Sequence, residues 1–253
     1  FEPLRQEAGV EIVMVKAGSD IPPDAALIIV PGSKSTIADL ASLRRNGWEE
    51  GILRHHGLGR PVLGVCGGYQ MLGAEIADPL GLEGAPSSVK GLGLLDVSTR
   101  MEPEKAVRNV EAYSETFAAR INGYEIHIGQ TSGPDCSRPF SKIGSRSDGA
   151  VSGDGLVMGT YLHGLFGNDD FRAKFLGRIG AAAGSSAYWA DVDAALDEIA
   201  AELDRLGLGA VLEAARTAHR EGRGCKLIAF GGAGELMERD LAGGPDGLRA
   251  LLE

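Results

Sequence analysis

Residues 61–73, PVLGVCGGYQMLG, constrain this chain more than any other stretch. An apolar run leads straight into Gly64-Val65-Cys66-Gly67-Gly68, and an apolar-lined helical pattern follows. A strand that turns into a helix this abruptly needs residues without bulk on both sides of the turn, which accounts for Gly64 and Gly68. Such an elbow holds the residue at its tip, Cys66, in a strained backbone conformation and lifts its side chain clear of the sheet. The helix that starts there aims its positive end at Cys66, an arrangement expected to favour thiolate. It also puts the backbone N–H of Gly67 where an oxyanion could be bound. A free cysteine is more often a small buried hydrophobe with no chemistry. Here the two glycines, the strand before and the helix after argue for a nucleophile.

The rest of the chain repeats the same rhythm. Residues 10–16 (VEIVMVK) and 26–30 (ALIIV) are short, β-branched apolar runs that stop at Gly, Pro or Asp, which predicts buried parallel strands. Residues 36–53 carry Ile37, Leu40, Leu43 and Trp48 roughly on one helical face, and the helix after Cys66 is expected to run to Ala77. Residues 79–122 are Gly-rich and mixed, read as a loop with antiparallel strands. Residues 155–162 (GLVMGTYL) predict a further strand that ends at His163. Together these imply a three-layer α/β fold with a largely parallel central sheet, of the flavodoxin-like kind. A C-terminal helical extension follows: Val192, Leu196, Ile199, Leu203 and Leu206 keep helical spacing over 191–206, and Gly207 stands where a cap belongs. Beyond Arg216 the composition changes. HREGRG reads as a linker, KLIAF (226–230) as a strand, GGAGEL and AGGPDG as turns. The expected division is a catalytic domain over 1–216 and an extension without an assigned role over 217–253.

Charge and cysteine usage narrow the classes. The net charge of −10, with no basic run, argues against a nucleic-acid or anionic-membrane surface. Three scattered cysteines, Cys66, Cys136 and Cys225, supply neither a disulfide framework nor metal-ligand spacing, so no metal is expected and a reducing cytoplasm is. No apolar run reaches the ~18 residues a membrane helix needs. The sequence opens on Phe1 with no signal segment, which suggests a piece of a longer chain.

A cysteine nucleophile needs a histidine within hydrogen-bond reach. His55 and His56 sit at a polar helix end and read as solvated; His219 lies in the charged linker. His127 (in GYEIHIG) and His163 (in GTYLHGLF) remain. His163 is preferred, because it closes an apolar strand and so stands at the carboxyl edge of the sheet, where open α/β sheets keep their chemistry. A group that orients the base is harder to find. Leu165 occupies the position two residues beyond His163; Glu125, Asp169, Asp170, a backbone carbonyl and a partner domain all stay open.

The motifs resemble the glutamine amidotransferase domain of the cobyric acid synthase family of the cobalamin pathway. The resemblance rests on VPGSKSTIADLASLR (30–44), VLGVCGGYQMLG (62–73), GLGLLDV (91–97), GYEIHIGQTSGP (123–134) and DGLVMGTYLHGLF (154–166), in order over residues 1–180. It implies a class I-like glutaminase in which Cys66 attacks the side-chain amide of glutamine and His163 protonates the departing ammonia. It further implies a second oxyanion donor from the Gly32 or Ser33 N–H, and a role for Gln70 in holding glutamine. Triad enzymes related to it carry a glutamate two residues after the histidine; Leu165 departs from them as this branch does, which implies weak activity for the domain alone. In the family, ATP and Mg2+ act on an N-terminal P-loop synthetase domain that amidates the carboxylates of a corrinoid, adenosylcobyrinic acid a,c-diamide. This chain has no such loop: Gly32-Ser33-Lys34-Ser35 mimics its end, but the required glycines would fall at Ser33 and Ile28. The chain thus resembles the glutaminase half, cut from its synthetase at or before Phe1. Alternatives are a related glutaminase (of a cobyrinic acid a,c-diamide synthase or a peptidoglycan-amidating ligase), a cysteine peptidase on a related fold, and a non-catalytic module.

Overall fold

In the computed structural model, Val62 and Val157 point into one apolar core while their neighbours Leu63 and Met158 point into another. Strands buried on both faces carry no polar alternation, which is why these runs are continuously apolar. The structure describes residues 1–181 and 187–205, positions 207, 209, 213, 216, 217, 220 and 221, and two strands at 226–230 and 236–240.

After a four-residue helix α1 (Glu2–Arg5) come β1 (Ile28–Val30), α2 (Thr36–Arg45), α3 (Trp48–Gly57), β2 (Val62–Val65) and α4 (Gly67–Leu72). Then follow β3 (Glu75–Asp78), β4 (Ser87–Lys90), a long hairpin of β5 (Ser98–Ser114) and β6 (Ala119–Ser132), and the short β7 (Ser141–Ile143), β8 (Arg146–Asp148) and β9 (Ala150–Val151). The chain returns through β10 (Val157–Thr160), β11 (Leu162–His163) and α5 (Asp169–Arg178). The central sheet has the order β1-β2-β10-β9, its first three strands parallel and β9 antiparallel. One of its faces packs Leu40 of α2, Ile52 of α3 and Leu72 of α4; the other packs Phe171, Phe175 and Leu176 of α5. A second, mostly antiparallel sheet, β11-β6-β5-β3-β4 with β7 and β8, stands beside it. The α/β class and the largely parallel central sheet are as expected.

Several boundaries differ from expectation for physical reasons. Residues 10–16 form no strand: Val10 and Ile12 rest against the core while Val13 and Met14 are exposed, since an extended run becomes a strand only beside a partner ladder. The helix expected over 36–53 breaks at Asn46-Gly47, where Gly47 is left-handed (φ +72°). The helix after Cys66 stops at Leu72, because Gly73 packs against Val97, where an added Cβ would lie 2.7 Å from the carbonyl oxygen. The last strand divides at Tyr161, so β10 stays in the central sheet while β11 joins β6.

By contacts the chain falls into two compact units, Phe1–Tyr188 and Trp189–Glu253. The second holds nearly all of α6 (Tyr188–Arg205), with Gly207 left-handed as its cap (φ +75°), and an antiparallel pair, β12 (Lys226–Phe230) and β13 (Leu236–Asp240). The expected KLIAF strand is therefore present. His219 of the expected linker and the Gly-rich turns at 231–235 and 242–247 lie outside the described residues.

Candidate active site

The elbow is built by close approaches that only glycine permits. A Cβ on Gly64 would sit 2.7 Å from the backbone N and Cα of Tyr69; one on Gly68 would sit 2.6 Å from the carbonyl carbon of Val30 and nearer still to its oxygen. With β1 and α4 pressed this closely, Cys66 adopts φ +55°, ψ −114°, a conformation that costs about 1–3 kcal/mol in a residue with a side chain. Among the described non-glycine residues only Ala118 shares a positive φ. The Cys66 N–H donates to the Thr160 carbonyl (2.8 Å), and its own carbonyl accepts from the Gln70 N–H (3.2 Å).

The loop after β1 faces the elbow. A Cβ on Gly32 would lie 3.5 Å from Cβ of Cys66 and 3.4 Å from Cε1 of His163, so this glycine sits between nucleophile and base. A Cβ on Gly67 would meet the Ser33 nitrogen at 2.9 Å. Gly32, Ser33 and Gly67 are thus brought together at Cys66. The Ser33 hydroxyl donates to Asp39 (2.5 Å) and accepts from the Ser35 N–H (2.9 Å), which folds the turn onto the start of α2.

His163 arrives on β11, paired with Tyr124 of β6 and stacked on its ring (centroids 5.0 Å apart, planes 9° apart). Interaction with the Ile126 carbonyl favours the protonated imidazole against burial, while Nε2 is buried with no hydrogen-bond partner. A proton on Nδ1 would leave the buried Nε2 lone pair free, the tautomer a general base needs. The Cys66 thiol donates to the same carbonyl (Sγ to O 3.3 Å). Burial lowers the imidazole's basicity against the opposing pull of the Ile126 carbonyl, and it pushes the thiol up against the Gly67 N–H. Both directions favour the neutral thiol and the neutral imidazole. The thiolate expected from the helix end is not favoured, because α4 is six residues long and desolvation outweighs it.

The other expected residues fall elsewhere. His127 stacks on Tyr161 (centroids 3.8 Å) with Nδ1 against the Gly129 carbonyl. His55 is buried and bonded to the Pro61 carbonyl rather than solvated; His56 pairs with Asp154. Glu125 is fully buried, but its Oε2 receives Arg108 and Arg146, and burial, which would raise it, is outweighed by those two guanidiniums. Asp169 pairs with Arg172 and Asp170 with Lys174. Among the described residues no carboxylate is hydrogen-bonded to His163. Gln70 has both amide donors engaged, on the Ile128 carbonyl (3.0 Å) and the Tyr161 hydroxyl (3.1 Å), and its oxygen accepts from Thr36 (3.1 Å). It ties the elbow helix to β6 and has no free N–H to offer a ligand.

Sequence reasoning left a backbone carbonyl open without placing it at Ile126, and it missed the buried Asp148, which holds the Thr160–Leu162 segment. Neither leaves a signal: one is a backbone atom, and the other is a lone Asp that ends the short strand β8 before Gly149. Among the described residues no group of three or more His, Cys, Asp or Glu is arranged to hold a metal ion, and no helix is long and apolar enough to cross a membrane.

The fold and the elbow define an α/β enzyme of the glutamine amidotransferase class. The chain belongs to the CobB/CobQ-like glutamine amidotransferase domain family, whose profile matches residues 1–171. It is 55% identical over 204 residues to the cobyric acid synthase of Allorhizobium ampelinum, covering 81% of this chain and 42% of that protein. To the cobyric acid synthase of Sinorhizobium medicae it is 56% identical with the same coverage, and to that of Rhizobium meliloti 54% identical over 216 residues. The chain thus spans less than half the length of these curated relatives. Among solved structures it is similar to a glutamine amidotransferase (TM-score 0.45, 18% identity, covering 62% of this chain and 80% of that one) and to PurLQS from Thermotoga maritima (TM-score 0.45, 16% identity, covering 64% and 82%).

Proposed function

We propose that this chain is the glutaminase part of a cobyric acid synthase and supplies ammonia to a synthetase part. What carries the reading is the seat of Cys66: a positive-φ elbow residue with Gly32 between it and His163 and the Gly67 N–H beside it. Glutamine's side-chain amide carbon is attacked by Sγ as Nε2 of His163 takes the thiol proton. The carbonyl oxygen becomes an oxyanion held by the N–H groups of Gly67 and of Gly32 or Ser33. The proton on Nε2 passes to the amide nitrogen, which leaves as ammonia. Water then opens the thioester to glutamate with His163 again as base.

The relatives' names and the chain's share of their length support the wider reading. The ammonia goes to a separate ATP- and Mg2+-dependent synthetase part, where carboxylates of adenosylcobyrinic acid a,c-diamide become amides. Residues 1–216 carry the glutaminase, and 217–253 add an extension of no assigned function. A neutral Cys66–His163 pair, oriented by a carbonyl instead of a carboxylate, makes the isolated glutaminase slow and leaves room for the synthetase part to accelerate it. The test is glutamate release with and without the synthetase part and its corrinoid. Release that rises with the partner and vanishes in Cys66→Ala supports the proposal. Full activity in Cys66→Ala would overturn it.

A further inference from the structure

Nucleophile and base sit on different sheets, and one residue joins them. Thr160 ends β10 beside β2, where its carbonyl accepts the Cys66 N–H (2.8 Å). Its hydroxyl accepts the Leu162 N–H (3.0 Å), the first residue of the two-residue strand that carries His163. The same hydroxyl donates to Asp148 Oδ2 (2.5 Å), while Asp148 Oδ1 accepts the Tyr161 N–H (3.1 Å). Ser141 on β7 donates to Oδ2 as well (3.2 Å). All of these groups are buried, and Asp148 is only 3% exposed.

A carboxylate placed in an apolar core is costly unless its hydrogen bonds repay it. Here each of its oxygens is used on the three-residue bend where the chain leaves the central sheet. A bend between sheets could otherwise settle in several ways, since β11 pairs with β6 through two residues only. We propose that Asp148, acting through Thr160, is a positioning residue for glutamine hydrolysis: it locks the Thr160–Leu162 bend and so sets His163 at the correct distance from Cys66. This rests on the glutaminase reading of Cys66 and His163. Asp148 touches neither of them, and the proposal is that its effect falls on the rate of the chemical step and not on glutamine binding.

The test compares Asp148→Asn, Thr160→Val and Thr160→Ser in the complete protein, reading kcat and KM for glutamate release, the rate of Cys66 alkylation by iodoacetamide, and thermal midpoints. A base displaced by a fraction of an ångström to about 1 Å loses on the order of 10–100-fold in rate. Asp148→Asn and Thr160→Val are expected to lower kcat by about that factor with KM changed less than about twofold. Alkylation of Cys66, which needs the thiolate that His163 helps to form, should slow together with kcat. Thr160→Ser keeps the hydroxyl and should restore kcat, and Asp148→Asn should keep or raise the midpoint because it removes a buried charge. Should Asp148→Asn not fold, the Thr160→Val and Thr160→Ser pair decides alone. Wild-type kcat in Thr160→Val, with Cys66→Ala inactive, would overturn this inference and leave the glutaminase reading standing. Equal falls of kcat and thermal midpoint in both Thr160 variants would reduce the network to plain structure and overturn it too. Failure of the wild-type protein to hydrolyse glutamine would instead overturn the glutaminase reading beneath it.

Discussion

Gly68→Ala is the sharpest probe of the elbow, because the structure fixes how far the backbone must yield. The added Cβ would lie 2.6 Å from the Val30 carbonyl carbon and 2.8 Å from the Pro31 oxygen. Comfortable contact lies near 3.5–4.0 Å, so β1 and α4 must part by about 1 Å. Both neighbours are backbone, so no flexible side chain can swing away. Overpacking of this kind typically costs about 1–3 kcal/mol, and backbone against backbone belongs at the upper end. For a domain of this size, about 3 kcal/mol lowers the thermal midpoint by roughly 6–12 °C. The same ångström separates Gly67 from Ser33 and Cys66 from Gly32, and a displacement of that size costs on the order of 100-fold in turnover. Gly177→Ala is the control: Gly177 lies within α5 with nothing inside 4 Å of an added Cβ, and the change should stabilise by about 0.5–1 kcal/mol. Differential scanning fluorimetry and glutamate release read both variants. A Gly68→Ala protein with wild-type midpoint and turnover would refute the close packing of β1 on α4.

Three further outcomes follow from buried groups. Gln70→Leu strips partners from Thr36, the Ile128 carbonyl and the Tyr161 hydroxyl, at about 1–3 kcal/mol for each group left unsatisfied, so the midpoint should fall while KM for glutamine barely moves; a raised KM at unchanged midpoint would instead return Gln70 to the glutamine site. Arg172→Met removes the guanidinium from Glu7 (2.6 Å), both groups nearly fully buried, and should cost about 3–5 kcal/mol in urea denaturation; a loss under about 1 kcal/mol would show that the pair is dispensable. Burial pushes the Asp148 carboxyl up to about 6 against the bonds from Thr160 and Tyr161, with Glu125 adding to the rise. Its folded value lies above the unfolded one, so the folded state binds the proton more tightly. Its contribution to stability is present below the unfolded value and is lost as pH rises through about 4 to 6. The loss is on the order of 3 kcal/mol at neutral pH. Comparing the pH dependence of stability in wild type and Asp148→Asn checks this, and parallel curves between pH 4 and 6 would contradict it.

The elbow was legible because its constraints are local. Gly64 and Gly68 are needed where a strand meets its own following helix and the strand beside it, so the requirement is written within five residues of Cys66. The parallel core was legible for a similar reason: Val62, Leu63, Val157 and Met158 lie between two apolar layers, and such strands carry no polar residues. Boundaries failed where a distant contact decided them. Gly73 ends α4 because Val97 lies against it, and residues 10–16 stay out of the sheets because no ladder stands beside them; neither fact is present in the local pattern.

The group that orients His163 stayed open among carboxylates, a backbone carbonyl and a partner domain, because a carbonyl leaves no mark on the sequence. A search for a third catalytic member looks for a carboxylate, and Glu125, Asp169 and Asp170 each satisfied that description on composition alone. In the structure all three are engaged by arginine or lysine, and the imidazole turns to the Ile126 carbonyl, which any residue could supply. A carbonyl fixes the tautomer as a carboxylate does but contributes no full negative charge to stabilise an imidazolium. The thiol donates to the same carbonyl, and burial pushes it towards its protonated form. The site is therefore well oriented and weakly charged, with the strand β6 setting both properties through one backbone atom. A displacement of β6 that drew Ile126 away from Sγ would free the thiol for Nε2.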